Sequence, residues 1–290
     1  MLSQAWKTEL QDLIRGLSGG FLFGIPLMYT MEVWWIGSYT NPPLMLSVLA
    51  VTFLVLLLLN QTDGFRKNNS NSFMQMVRDS VEALALGLLS AAAILFLLQE
   101  VTLETPLDET LGKIIFEAVP FSLGVALART LISGGDENDS ESEDEKPQLS
   151  GRERKKQRYQ ATLADIGATA IGALFIAFNI APTDEIPTLA SAASAPWLLG
   201  VIASSLVISY GIVFVADFTT QQKRLQQEGL FQHPLVETVM SYLISLVLAA
   251  LMLWFFHRLS VTDPWQIWLR HTILLGLPAT VGGAAGRIAI

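Results

Sequence analysis

The 290-residue sequence contains no cysteine. Disulfides, thiolate zinc sites, iron–sulfur clusters and cysteine nucleophiles are thereby excluded. Charge is also scarce. Charged residues make up 15% of the chain, where a soluble protein carries roughly a quarter. Only three histidines occur, and none stands in an H-E-x-x-H or paired spacing. With no nucleotide-binding loop either, a membrane metalloprotease or an ATP-driven pump has no support. No cofactor and no metal site is expected. The period-2 alternation of a membrane β-barrel is absent. The net charge of −8 comes mainly from one acidic run, so no nucleic-acid surface is implied.

Apolar residues are abundant, at 51% of the chain, with a mean hydropathy of +0.46. A helix rises about 1.5 Å per residue, so a hydrocarbon core of about 30 Å takes about 20 apolar residues to cross. The stretches 13–36, 42–60, 76–98, 109–131, 161–182, 196–217, 236–257 and 268–289 qualify. In lipid each backbone amide needs an internal partner, so they are expected to be helices. The first holds glycines and an acid and lacks a small-residue cleavage site. It reads as a retained helix and not a signal peptide.

Loop charge predicts the orientation. With the N-terminus inside, all but Lys113, Arg258 and Arg270 of the 18 lysines and arginines fall at the inner side. Both termini are then cytoplasmic, in a bacterial inner or thylakoid-type membrane. The outer loops carry Glu100, Glu104, Asp108, Asp184 and Asp263. Trp34, Trp35, Trp197, Trp254, Trp265 and Trp268 fall where an outer aromatic belt would lie. Ahead of the first span, Trp6, Leu10, Leu13, Ile14 and Leu17 recur at helical spacing. They predict a helix in the inner interface that then turns into the bilayer.

Residues 134–159 form a linker, acidic from Asp136 to Glu145 and basic from Arg152 to Arg158. It is expected to be disordered. The basic part serves as a topology signal or as a contact for anionic lipid headgroups at 152–158.

The two sides of the linker resemble each other. An offset of 153 positions lays Leu10 on Leu163, Asp12 on Asp165, Gly19 on Gly172, Thr30 on Thr183 and Glu32 on Glu185. It also lays Pro43 on Pro196, Val48 on Val201 and Ala50 on Ala203. At 155, Val81-Glu82 meets Val236-Glu237 and Ser90 meets Ser245. At 158, Pro120 meets Pro278, Gly124 meets Gly282, Ala126 meets Ala284 and Arg129 meets Arg287. The expected fold is all-α: a polytopic membrane protein of about eight spans. These form two tandem four-helix repeats, 1–133 and 160–290. An even number of spans inserts both copies the same way up, so the axis relating them runs along the membrane normal.

An ionisable side chain in a span costs roughly 2.5–3.5 kcal/mol and needs a reason. Arg78, Glu82 and Ser90 share a helix face, as do His233, Glu237, Ser241 and Ser245. In each copy the basic or titratable group lies one turn before the glutamate, a spacing that permits a pair. The pairs either satisfy helix ends or line a cytoplasmic vestibule, where His233 would add pH sensitivity. Glu32 and Glu185, each two residues after a threonine, either hold a cation at an outer mouth or face water at a helix end. Asp12 and Asp165 suit helix N-termini. Glu117 and Asn179 lie deeper and have no counterpart in the other copy.

Gly16, Gly20 and Gly24, Gly282 with Gly286, and Gly124 with Ala128 form small-residue ridges for close helix packing. Pro26, Pro120 and Pro278 are expected to kink their spans. Gly16-Leu17-Ser18-Gly19-Gly20 fits the G-x-S-x-G pattern of a serine nucleophile. His257 and His271 fall toward the opposite face, only His233 is on the same side, and the second copy has Ile171 at the serine position. The chain is therefore not expected to be an enzyme.

RGLSGGFLFGIPLMYTMEVWW, the Pro42-Pro43 pair and AVPFSLGVALAR resemble a family of bacterial integral membrane proteins of unknown function, common in cyanobacteria. The resemblance covers the whole chain and implies a multi-pass fold, with no site residues. Arg15, Ser18 and Glu32 are also similar to the two-repeat potassium channels of lysosomal and bacterial type. Leu17 and Gly19 depart from the Phe and Asp of the Arg…Phe-Ser-Asp motif of those channels. That similarity implies cation conduction. The expected function is a secondary transporter or channel for a small cation or proton. The alternative is a membrane scaffold or assembly factor that binds its partner through the linker.

Overall fold

The computed structural model describes residues 2–63, 73–133, 151–216 and 234–289. Every regular element among the described residues is a helix, with no strand. In chain order the helices are α1 (Leu2–Met28), α2 (Met31–Tyr39), α3 (Pro42–Asp63), α4 (Phe73–Leu97) and α5 (Leu107–Ser133). They continue as α6 (Gly151–Ile180), α7 (Glu185–Ala192), α8 (Ala195–Tyr210, extended by a π-turn at Gly211–Val215), α9 (Pro234–Phe255) and α10 (Trp265–Ile288). Prolines mark several starts. Pro42 opens α3, Pro234 opens α9, Pro196 sits in the first turn of α8 and Pro264 caps α10. A proline lacks the N–H that the first turn leaves unbonded anyway.

Six helices are long and apolar enough to cross a membrane: α3, α4, α5, α6, α8 and α9, the last of these entire and the others over part or all of their length. The helices α1 and α10 are as long but fall outside that set. Three expectations about the ends need correcting. The segment around Trp6 does not turn at the interface, because α1 runs unbroken from Leu2 to Met28. The first apolar stretch, expected to run unbroken over 13–36, breaks after Met28 into a separate short helix, α2, whereas α6 ends at Ile180, close to the expected end of the fifth, and α7 follows beyond it. Residues 151–159, expected in a disordered linker, are the first turns of α6. Good helix formers such as Arg, Glu, Lys and Gln fill those turns. Residues 134–150 lie outside the described residues.

The pairing of helices is the same on both sides of the linker. The major contact of α1 is with α5, and that of α6 is with α10. The helices α2, α3 and α4 pack on α5, as α7, α8 and α9 pack on α10. The closest crossings use matching glycines. A methyl group on Gly19 would collide with the Gly124 carbonyl and Ala128. One on Gly172 would collide with the Gly282 carbonyl and Gly286. The absent side chains let the backbones approach, which gives van der Waals contact that lipid cannot match.

The helix ends repeat as well. Thr30 Oγ1 donates to the Leu27 carbonyl at 2.9 Å, and Thr183 Oγ1 to the Ile180 carbonyl at 2.6 Å. Gln99 (φ 62°) and His257 (φ 58°) are the non-glycine residues with positive φ among the described residues. Each follows a helix whose C-terminus closes with the same bonds. The amides of Glu100 and Val101 reach the Leu95 carbonyl, and those of Arg258 and Leu259 reach the Leu253 carbonyl.

The halves meet chiefly where α1 touches α10 and the π-turn after α8. Pro278 has no amide, so the Leu274 carbonyl lacks its i+4 donor. Buried Tyr29, from the other half, donates its hydroxyl to that carbonyl at 2.8 Å.

Candidate functional site

The Gly211–Val215 turn and the helix ends around it gather a cluster of charged groups at one end of the bundle. Arg15, on α1, donates from Nε to the Ala216 carbonyl at 3.2 Å and from Nη1 to Asp12 Oδ1 at 2.8 Å. The guanidinium thus holds a carbonyl at the end of α8, where backbone acceptors have no helical partner. Arg287 comes from the last turn of α10. Its side chain is 1% exposed and its Nη2 pairs with Glu237 Oε1 from the first turn of α9. The same guanidinium lies 5.6 Å from the centre of the Phe214 ring, on the π-turn. Glu237 keeps 27% of its side chain exposed, so the pair is open on the carboxylate side only.

This geometry redistributes the expected partners. Glu237, expected to pair along its own helix with His233, bonds across to Arg287. His233 lies outside the described residues. Arg78 is exposed and Glu82 half-buried. Ser90 is buried, and its Oγ has no hydrogen-bond partner among the described residues. Ser245 is also buried and bonds back to the Ser241 carbonyl at 3.0 Å. Asp12 pairs with Arg15, but neither it nor Asp165 stands at a helix N-terminus as expected: each lies well inside its helix, α1 or α6, beyond the reach of the dipole. Asp165 is half-buried, and its carbonyl accepts from Thr169 Oγ1 at 2.8 Å.

Glu32 and Glu185 part company at the opposite end. Glu32 is exposed. Glu185 is 6% exposed, and its Oε1 accepts from the Met31 amide at 3.4 Å. That amide opens α2, so the carboxylate of one half sits at a helix N-terminus of the other, where the dipole favours negative charge. The threonines beside them bond to the preceding helix and are not turned to a shared mouth. Nearby, Lys113 bridges Glu109 at 2.9 Å and Glu100 at 3.6 Å. Burial raises the Glu100 pKa, and the Lys113 charge partly offsets that shift.

Glu117, on α5, read as lying deep in its span, is 1% exposed. Asp79, on α4, carried no weight in the sequence and is 6% exposed, because depth in a bundle depends on which helix covers which face. Trp34, placed with the aromatic belt, is likewise buried, at 1% exposed. Its Nε1 donates to the Met28 carbonyl at 2.9 Å. Ser18 is buried within α1. No group of three or more histidines, cysteines or acids that could hold a metal occurs among the described residues.

A family model described as "Putative integral membrane protein (DUF2391)" matches residues 12–290. No curated protein and no solved structure matches the chain.

Proposed function

As this multi-pass chain belongs to that family of integral membrane proteins, we propose that it is a secondary transporter or channel for a proton or small cation. In this reading it is built from two copies of one unit, about eight spans in all. Each unit is four long helices with a short helix after the first. Matching glycine crossings, threonine bonds and helix ends support the duplication. The spans α1 and α10 complete the eight, and the bias of basic residues places both termini in the cytoplasm.

The observation that carries the transport reading is the Glu237–Arg287 pair. A guanidinium withdrawn from water at the end of a span is expensive unless paired. A carboxylate that is paired on one side and open on the other can exchange the guanidinium for a proton or cation. That exchange changes the charge at the mouth between α9, α10 and the Gly211–Val215 turn. Carboxylate oxygens suit hard cations and protons.

The test is flux through proteoliposomes of purified protein under a proton or potassium gradient. Wild type passes the ion, and Glu237→Gln abolishes the flux while the protein still reconstitutes. Wild-type liposomes as tight as empty ones would overturn the reading.

A further inference from the structure

We propose that Asp79, and not Glu82, is the first-half counterpart of Glu237, so that the paired carboxylates of the candidate pathway are Asp79 and Glu237. The functional meaning of the assignment rests on the transport reading above; the register itself rests on geometry.

Sequence matching joins Glu82 to Glu237 at an offset of 155, and then needs 158 for Pro120 and Pro278. Three residues must therefore enter somewhere between. Both α4 and α9 are unbroken helices, so neither accommodates an insertion. The connections after them are equally long, from Leu97 to Leu107 and from Phe255 to Trp265. They also fold alike. Thr102 N donates to Thr105 Oγ1 at 2.9 Å, and Ser260 N donates to Asp263 Oδ2 at 2.7 Å, again 158 apart. The positive φ at Gln99 and His257 fixes the same offset where each helix stops.

Carried back along the helix, 158 sets Ser80 on Thr238, Ala83 on Ser241, Gly87 on Ser245, Ala91 on Ala249, Ile94 on Met252 and Leu95 on Leu253. All of these are buried. At 155, buried Ser80 would fall on Leu235, which is 69% exposed. Three residues are close to one turn of about 3.6, so the shifted match keeps roughly the same face and looks plausible in sequence. At 158 Glu82 falls on Met240, and Asp79 falls on Glu237. The same offset takes Arg129 to Arg287, so both members of the second-half pair have a like-charged counterpart at a single register. The Arg129 side chain lies outside the described residues. Asp79 lies on the buried face of α4, and α4 packs on α5 as α9 packs on α10.

The experiment compares Asp79→Asn, Glu82→Gln and Glu237→Gln in the full chain. Thermal unfolding is followed in detergent, and proton or potassium flux in proteoliposomes. The assignment expects Asp79→Asn and Glu237→Gln to lower the melting temperature by similar amounts and to stop flux. Glu82→Gln stays nearer wild type in both. The reverse order, with Glu82→Gln matching Glu237→Gln and Asp79→Asn matching wild type, overturns it. If Asp79→Asn yields no folded protein, Asp79→Glu decides, because it keeps the charge at the length of Glu237. Wild-type melting supports the assignment, and a failure like that of Asp79→Asn counts against it. If wild type itself passes no ion, the transport reading falls while the melting order still decides the register.

Discussion

Removing the Tyr29 hydroxyl isolates one contact between the two halves. Tyr29→Phe keeps the ring and deletes only the donor to the Leu274 carbonyl, a buried bond of 2.8 Å. The carbonyl cannot fall back on its own helix, because position 278 is proline. An unsatisfied buried acceptor costs about 1–3 kcal/mol. Measured hydrogen bonds between membrane helices average about 0.6 and reach about 1.7 kcal/mol. The lack of a fallback partner places Tyr29→Phe toward the upper part of that second range, at about 1.5 kcal/mol. Pro278→Ala supplies the missing amide to the same carbonyl. In that background the hydroxyl has a competitor, and Tyr29→Phe drops to about 0.5 kcal/mol. The coupling between the two sites is then about 1 kcal/mol, measurable by reversible unfolding in mixed micelles. Equal cost of Tyr29→Phe in both backgrounds would refute the claim that the proline creates the acceptor that tyrosine satisfies.

Gly172→Ala drives a methyl into the Gly282 carbonyl and costs about 1–3 kcal/mol, whereas Gly167, with nothing within 4 Å, tolerates alanine or gains up to about 1 kcal/mol. Unfolding midpoints of the two variants check the contrast. Glu237→Gln removes the Glu237 carboxylate from the buried Arg287 guanidinium and costs up to about 3–5 kcal/mol, and Glu237→Gln with Arg287→Met recovers most of it in the same assay. Burial raises the Glu100 pKa in the folded state, so the folded protein binds the proton more readily there. The stabilising contribution of the protonated acid is full below the ordinary carboxylate pKa of 4.5 and is lost as pH rises through the raised value. Glu100→Gln removes that decline from the pH dependence of unfolding, and an unchanged slope in the variant would count against the burial argument.

Much of the architecture can be read from local composition. The apolar runs correspond to the long helices, and prolines mark where several begin. Gly19, Gly172, Gly124 and Gly282 were legible as matched small residues before their crossings were seen, because only a missing side chain explains glycine inside an apolar helix. The break after Met28 was not legible. Apolar residues resume beyond it at Val33-Trp34-Trp35-Ile36, and hydropathy carries no direction. The match of Glu82 to Glu237 shows a second limit, since a shift of three residues is nearly silent on a helix surface.

The sequence alone determined that this chain lives in a membrane, and that Arg129 and Arg287 stand 158 positions apart in stretches of like residues. Those properties depend on composition and order, which need no folding to be read. The tertiary structure decided which charges meet. Arg287 reaches Glu237 from another helix, Glu185 sits at the start of α2, and Tyr29 finds a carbonyl 245 positions away. Each partner is chosen by how helices cross, and a crossing is set by packing between faces that the linear order does not connect.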